Sequence, residues 1–379
     1  LKICIFSPQS RLASQMKEFA IRFVSMNHEV HAIIASSSYG RKHRRREIDG
    51  SGIVYHVMPV IPVSKLLYPS YVILATIRGL LVRNSVTISH EVYTGLIGVI
   101  LRFLTGRKSV LYVVDAQTDL KIERGMWRNS LLLKLGRWLE RFVVSHSDVS
   151  IAIDQSLIPY LKQLGAKRVE VVTYGIKLDL FNKCDGKEIV KKHCLPEGKV
   201  VGYVGGMEPH HGVQYLVEAI PYVIKEIPDV KFLIVGNGLL RPWLEEKAGK
   251  HGVFPGHVPY HEVPKYLAAS DILVVPAAPR SKYVSVLTTK IFDYLGSGKA
   301  IIATDVGGIK QTLGDVTLVV PPRDPKALAN AILHLIKDRE SRRKMGLEAK
   351  KIINIRFNYD KLAKRFVKIL EDAGRDCES

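Results

Sequence analysis

The stretch VLTTKIFDYLGSGKAIIATDVGG, Val286–Gly308, decides the fold of this 379-residue chain. It reads as a buried helix, a turn bounded by glycines, a short apolar strand and a Gly-Gly loop. A strand as apolar as AIIA belongs in a parallel sheet covered on both faces, and a helix leading into it makes one α/β repeat. Lys290 and Asp293 stand three residues apart and share the rim of that helix. Thr288 and Thr289 fall in its first turn. Free backbone N–H groups, two hydroxyls and an ammonium at a helix start suit a phosphate. A carboxylate one turn along suits a ribose diol. Phosphate beside ribose means a nucleotide.

The same alternation runs through the whole chain. Apolar strands are expected near Lys2–Phe6, Glu29–Ile34, Ile53–Val57, Val86–Ser89, Ser109–Val114, Val149–Ile153 and Val169–Val172, with amphipathic helices between them. A second series follows at Lys199–Gly205, Lys231–Val235, Val253–Phe254, Ile272–Val275, Ala300–Ala303 and Thr317–Val320. The fold class is α/β: two tandem Rossmann-like doubly wound domains, over 1–182 and 199–355, with ligand expected at strand ends in the crevice facing both. Residues 183–198 are polar, lack periodicity and read as a linker. Residues 356–379 read as a C-terminal helix and tail returning toward the first domain.

Composition narrows the function classes. The chain carries 56 Lys and Arg against 36 Asp and Glu, a formal net charge of +20. Residues 1–182 hold 25 of those cations against 13 acids, so the first half is the more basic. Such a field attracts anionic lipid, diphosphates or nucleic acid. Its densest run is RKHRRR, Arg41–Arg46, which reads as a solvated loop. Nucleic-acid binding would interleave cations with aromatics on one face, whereas here they spread over both halves. The spacing of Cys4, Cys184, Cys194 and Cys377 fits neither a zinc site nor a disulfide framework, which points to a reducing, cytoplasmic compartment. KICIF reads as a strand at once, with no signal peptide ahead of it. No uncharged apolar run is long enough for a transmembrane helix. The segment MWRNSLLLKLGRWLERF reads either as a core helix or as a basic amphipathic helix that rests on an anionic membrane.

Chemistry-bearing residues gather at expected strand ends. In VGYVGGMEPHHG the strand ends in Gly205-Gly206, and His211-Gly212 opens a helix, so the backbone can approach an anion. Gly236-Asn237-Gly238 caps the next strand. Gly256-His257-Val258 follows the third, where a flat base could be read by backbone groups. Each of these is also compatible with a plain strand-to-helix turn. In the first half, Ser10 and Arg11 follow the first strand, His90 and Glu91 the fourth, and Asp115 the fifth. A lone carboxylate at such a place also serves as an N-cap.

Five ordered blocks together resemble family 4 of the retaining glycosyltransferases with the GT-B fold. They are Ser147–Phe181, GYVGGMEPHHG, FLIVGNG, FPGHVPYHEVPKYLAASDILVVP and KIFDYLGSGKAIIATDVGG. The resemblance implies transfer of a sugar, with retention, from a nucleotide-sugar to a glycan or lipid-linked acceptor. The nucleotide-sugar is a substrate; no cofactor and no metal are implied. Asp293 resembles the second carboxylate of the family's E-x7-E signature, whose first position is Ser285 here. The usual phosphate-binding Arg and Lys of the first glycine loop fall on Gly206 and His211, which leaves Lys290 as the main cation. A family His of the first domain falls on Val114, beside Asp115. The resemblance places donor binding on Gly205, Gly206, His211, Gly212, Gly236, Asn237, Gly238, Gly256, His257, Val258, Thr288, Thr289, Lys290 and Asp293. Their position at strand ends facing the crevice makes Asp115 and His90 the catalytic candidates, and Ser10, Arg11 and Glu91 the acceptor-side candidates. The competing expectations are a catalytically degenerate partner of a transferase, a nucleotide-sugar epimerase and a basic nucleic-acid-binding protein.

Overall fold

The structure is a computed structural model that describes residues 1–36, 46–60, 67–83, 85–123, 130–181, 184–279 and 289–375. The chain divides into two compact units, Leu1–Tyr174 with Tyr359–Ser379, and Gly175–Asn358.

The first unit is built on eight strands: β1 (Lys2–Ser7), β2 (Glu29–Ala35), β3 (Arg46–Ile48), β4 (Val54–Met58), β5 (Ser85–His90), β6 (Ser109–Val113), β7 (Val149–Ala152) and β8 (Val169–Val171). Their order is β3-β4-β2-β1-β5-β6-β7-β8, parallel except for the β3–β4 edge pair. The central strands are apolar on both faces because both faces are covered. Ile3 and Ile5 of β1 point to a core shared with Phe19, Phe23 and Phe366. Cys4 and Phe6, one residue out of phase, point to the opposite core with Tyr71, Ala75, Ile97 and Leu101. The C-terminal helix Tyr359–Arg375 belongs to this unit. Its Phe366 packs edge-on against Phe19 and Phe23 at 5.3 and 5.4 Å, and its Asp360 accepts from Arg22 at 2.7 Å.

The second unit has six strands: β9 (Val200–Val204), β10 (Lys231–Val235), β11 (Gly252–Gly256), β12 (Ile272–Val275), β13 (Ala300–Thr304) and β14 (Leu318–Val320). The order is β11-β10-β9-β12-β13-β14, all parallel. Strand order reverses between β9 and β12, so the loops leaving neighbouring strands part there and open a crevice.

Three boundaries differ from the sequence reading. The first unit ends at Tyr174 rather than 182. Ile176 and Phe181 pack on Gly296 of the second unit, and Ile176 N–H donates to Phe357 O at 3.1 Å. The expected linker 183–198 contains the helix Lys187–Lys192, whose Ile189 is buried with Leu195 against Val200, Leu233 and Tyr266. Two apolar residues suffice to dock six residues, too few to show a period. The strand β3 begins at Arg46, the last residue of the basic run expected as a loop, and pairs with β4 while staying exposed. The rest of that run lies outside the described residues. Among the described residues, no helix is long and apolar enough to cross a membrane.

Candidate functional site

Three loops leave β9, β10 and β11 side by side in the second unit and are bonded through their backbones. Gly205 N–H donates to Val235 O at 2.9 Å, Gly236 N–H to Gly256 O at 2.9 Å, and Met207 N–H to Asn237 O at 2.9 Å. Gly236 sits at φ +134°, and a Cβ there would lie 1.9 Å from Gly205 O, so only glycine lets these loops touch. Gly212, at φ +73°, caps the helix Val213–Glu226; its Cβ would lie 1.7 Å from Pro276 O. Gly238 packs against the Met207 backbone. A cavity of about 330 Å³ opens over these loops, lined by Gly205, Gly206, Gly236 and Asn237 together with His257, Val258 and Tyr260. Its size lies at the lower end for a small-molecule site.

The helix Thr289–Ser297 brings the two residues singled out from sequence against lining residues of the cavity, Lys290 beside Gly205 and Asp293 beside Tyr260. Lys290 Nζ donates to the Tyr203 hydroxyl at 3.1 Å and lies 3.5 Å from His211 Nδ1 and 4.9 Å from the centre of the Tyr203 ring. A Cβ on Gly205 would meet that ammonium at 2.8 Å. Burial lowers the Lys290 pKa to about 8. Asp293 is nearly buried and accepts from the Tyr260 hydroxyl at 2.9 Å. Burial raises its pKa to about 7, with the Tyr260 hydrogen bond pulling the other way. A cation held ready and a carboxylate desolvated beside one cavity are characteristic of a ligand site rather than a stabilising core.

Three tyrosines of this site were not singled out from sequence. Tyr203, buried, accepts from Lys290 and donates to Gly206 O. Tyr294 accepts from Val204 N–H at 2.7 Å and donates to Val204 O at 3.1 Å, fixing the strand end that feeds the first loop. Tyr260 is the third. The signal was present in the quoted motifs: Tyr203 lies in GYVGG, Tyr260 in VPYHEV, and Tyr294 follows Asp293. Thr288 and Ser285 lie outside the described residues, as does the side chain of Thr289.

In the first unit, the strand order reverses between β1 and β5. Ser10 and Arg11, both exposed, leave the β1 end; Ser7 Oγ donates to Arg11 O at 3.2 Å. His90 ends β5 and stacks on Tyr112 at 5.8 Å, and burial lowers its pKa to about 4. Glu91 caps the helix Val92–Thr105 with φ +81° and ψ 155°, a region that normally admits only glycine. Its carboxylate lies 3.9 Å from His90 Nδ1. Asp115 follows β6, the strand beside β5. The five candidates therefore occupy the C-terminal ends of three adjacent strands. Val114 packs against the core. Among the described residues no group of three His, Cys, Asp or Glu side chains converges as metal ligands would.

Two doubly wound sheets, one wholly and one mostly parallel, the former carrying a cation and a carboxylate at its switch point, define a tandem Rossmann-like α/β protein. Residues 198–338 match the family described as Glycosyl transferases group 1, and residues 12–175 match the Glycosyl transferase 4-like domain. The chain belongs to these glycosyltransferases. It is 27% identical over 229 residues to the alpha-D-kanosaminyltransferase of Streptomyces kanamyceticus, a stretch covering 57% of this chain and 58% of that one. The chain spans about half the length of the curated relatives it matches. Its fold superposes on the sucrose-phosphate synthase of Thermosynechococcus elongatus with a TM-score of 0.80 at 18% identity, covering 98% of both chains. The Anabaena protein HepE in complex with UDP gives 0.74 at 17% identity, covering 98% of this chain and 100% of that one. The architecture is GT-B, as the sequence reading expected.

Proposed function

We propose that this chain is a retaining, metal-independent hexosyl- or N-acetylhexosaminyltransferase that takes its sugar from a nucleoside diphosphate. The observation that carries this reading is the pairing, on one helix over the glycine loops, of Lys290 beside Gly205 and Asp293 at the Tyr260 wall of the cavity. In this reading the diphosphate meets Lys290, His211 and the Gly206 N–H, with Gly205 and Gly212 letting the chain approach it closely. The ribose diol meets Asp293, and the base lies along His257 and Val258, with Gly256, Asn237 and Gly238 shaping the walls. The solved relative bound to UDP supports such a donor.

As the bond between C1 and the phosphate oxygen breaks, its electron pair passes to the leaving diphosphate. Lys290 and the loop N–H groups oppose the charge that grows there, so they stabilise the transition state more than the ground state. The acceptor oxygen bonds to C1 on the face the phosphate leaves, and its proton passes to the departing phosphate oxygen. Cationic and N–H donors supply the stabilisation a metal gives in other transferases. His90, neutral at pH 7, and Asp115 are the proposed catalytic groups of the first unit, with Ser10, Arg11 and Glu91 handling the acceptor.

The acceptor is a glycan or a lipid-linked sugar met at an anionic membrane surface on the cytoplasmic face. The helix Ser130–His146 supports the membrane part. It exposes Leu131, Leu135 and Trp138 by 71, 56 and 60%. Trp138 stacks on Phe142 at 5.4 Å, while the Phe142 and His146 rings, at 4.5 Å, and the His146 ring and Phe103 of the neighbouring helix, at 5.7 Å, meet tilted, making a continuous strip. Lys134 and Arg141 flank it, exposed, while the helix's acid, Glu140, is buried. Nucleic acid is not an expected partner. Calorimetric titration with UDP-, GDP- and ADP-sugars, followed by a nucleotide-release assay with lipid-linked acceptors, tests the proposal. Binding with turnover supports it, binding without turnover favours a degenerate partner, and no binding of any nucleotide defeats it.

A further inference from the structure

We infer that Tyr260 is a positioning residue of the donor site: its hydroxyl holds the Asp293 carboxylate in the orientation in which it receives a ribose diol. The inference rests on the reading of Asp293 as the ribose ligand. A tyrosine kept for packing buries its ring, as Tyr71 and Tyr112 do, whatever its hydroxyl meets. Tyr260 is inverted. The residue is 53% exposed, yet its hydroxyl ends 2.9 Å from Oδ1 of a carboxylate whose residue is 8% exposed. The ring is thus a wall of the cavity with its polar tip turned inward.

The backbone explains how the ring is held there. Pro259 adopts φ −58° and ψ 145°, and its carbonyl accepts from Glu262 N–H at 2.9 Å, which closes the short turn Tyr260–Glu262. The same loop carries His257 and Val258 and is anchored by Gly256 O to Gly236 N–H. One rigid segment therefore lines the cavity where a base would lie and orients the carboxylate that a ribose would meet. The hydrogen-bond count permits both at once. A carboxylate oxygen accepts two hydrogen bonds, so Oδ1 can keep Tyr260 while Oδ1 and Oδ2 take the two hydroxyls of a diol.

A hydroxyl donating to a carboxylate also favours its ionised form, the form that accepts a diol. The titratable groups around Asp293 are few. Tyr260 faces it from the turn, and Tyr294 follows it on its own helix. Lys290 stands one turn back with Tyr203 and His211. On the packed helix Val263–Ala269 and its turn lie Glu262 and Lys265, the latter bonded to Glu188, and on Arg339–Arg356 Lys350 lies over Gly298. Tyr260 is the side chain that bonds the carboxylate directly among the described residues.

The test compares wild type, Tyr260→Phe and Asp293→Asn by calorimetry. The probe is whichever of UDP, GDP or ADP binds wild type tightest, together with its 2′,3′-dideoxy counterpart, between about pH 5.5 and 9. Wild type is expected to prefer the ribonucleotide with a pH midpoint near that of Asp293, and Asp293→Asn to lose the preference at every pH. Tyr260→Phe is expected to cut the preference about 3–10-fold at pH 7, to regain it toward pH 8, and to leave dideoxynucleotide affinity unchanged. An unmoved midpoint and preference in Tyr260→Phe, or an equal loss for both ligands at all pH values, overturns the role of Tyr260 and leaves the ribose reading standing. Nucleotide preference that survives in Asp293→Asn overturns the ribose reading, and the role of Tyr260 with it.

Discussion

At the scale of single residues, Lys290 and Asp293 are placed at a cost to the empty protein. Lys290 has a folded pKa below its unfolded value, so below about pH 8 the fold carries a partly desolvated ammonium, and that burden lifts as pH rises from about 8 through 10.5. Replacing it by Met is expected to stabilise the unliganded protein at pH 7 by up to about 3 kcal/mol, checked by chemical denaturation, while weakening diphosphate binding about 100-fold. Asp293 has a raised folded pKa, so its burden builds as pH rises from 3.8 and is complete above about 7. Binding wants the carboxylate ionised and the lysine protonated. Donor affinity is therefore expected to peak between pH 7 and 8, falling on the acid side with Asp293 and on the alkaline side with Lys290. Titration of wild type and Asp293→Asn checks the acid arm, which the Asn variant should lack. Glu91 is a third residue held against its preference. Glu91→Gly is expected to raise stability by about 1–3 kcal/mol while reducing sugar transfer, because the strained backbone is relieved and the carboxylate is lost. A variant that keeps full transfer would remove Glu91 from the acceptor site.

At the scale of elements, the loops after β9, β10 and β11 work only as a bonded set. Gly236→Ala would drive a Cβ into Gly205 O, and is expected to cost at least about 3 kcal/mol and to abolish nucleotide binding, read by thermal denaturation and titration. Most of this level was legible from sequence. Strands buried on both faces, such as KICIF and AIIA, announce themselves by continuous apolar runs, and the glycine loops by their position after them. Short docked pieces did not: the helices Lys187–Lys192, Gln117–Glu123 and Ile309–Leu313 span too little chain to show a helical period. At the site, charge and glycine were readable, so Lys290, Asp293 and the loop residues stood out. Tyr203 and Tyr294 did not, because a tyrosine in an apolar run reads as core, nor did Tyr260, because a tyrosine in a polar loop reads as surface; the partner of each hydroxyl is fixed only by the folded backbone. The first-unit boundary differs for the same reason, since it depends on Ile176 and Phe181 packing on the helix Thr289–Ser297.

At the scale of the molecule, the net charge of +20 and the exposed strip over Leu131, Leu135, Trp138 and Phe103 predict binding to vesicles of anionic lipid that weakens with salt. Flotation of wild type at low salt and its loss in Leu135→Glu/Trp138→Glu, with unchanged nucleotide affinity, is the expected pattern; equal flotation of the two would place any membrane contact elsewhere. Family membership rests on matches along both units, whereas donor use rests on a few atoms of one. The most direct measurement is calorimetric titration of UDP-, GDP- and ADP-sugars into wild type and Lys290→Met under the same conditions. Saturable binding of at least one nucleotide-sugar by wild type, weakened about 100-fold in the variant, is the expected result. Equal affinity in the two proteins, or no binding to wild type, would contradict a diphosphate site at Lys290.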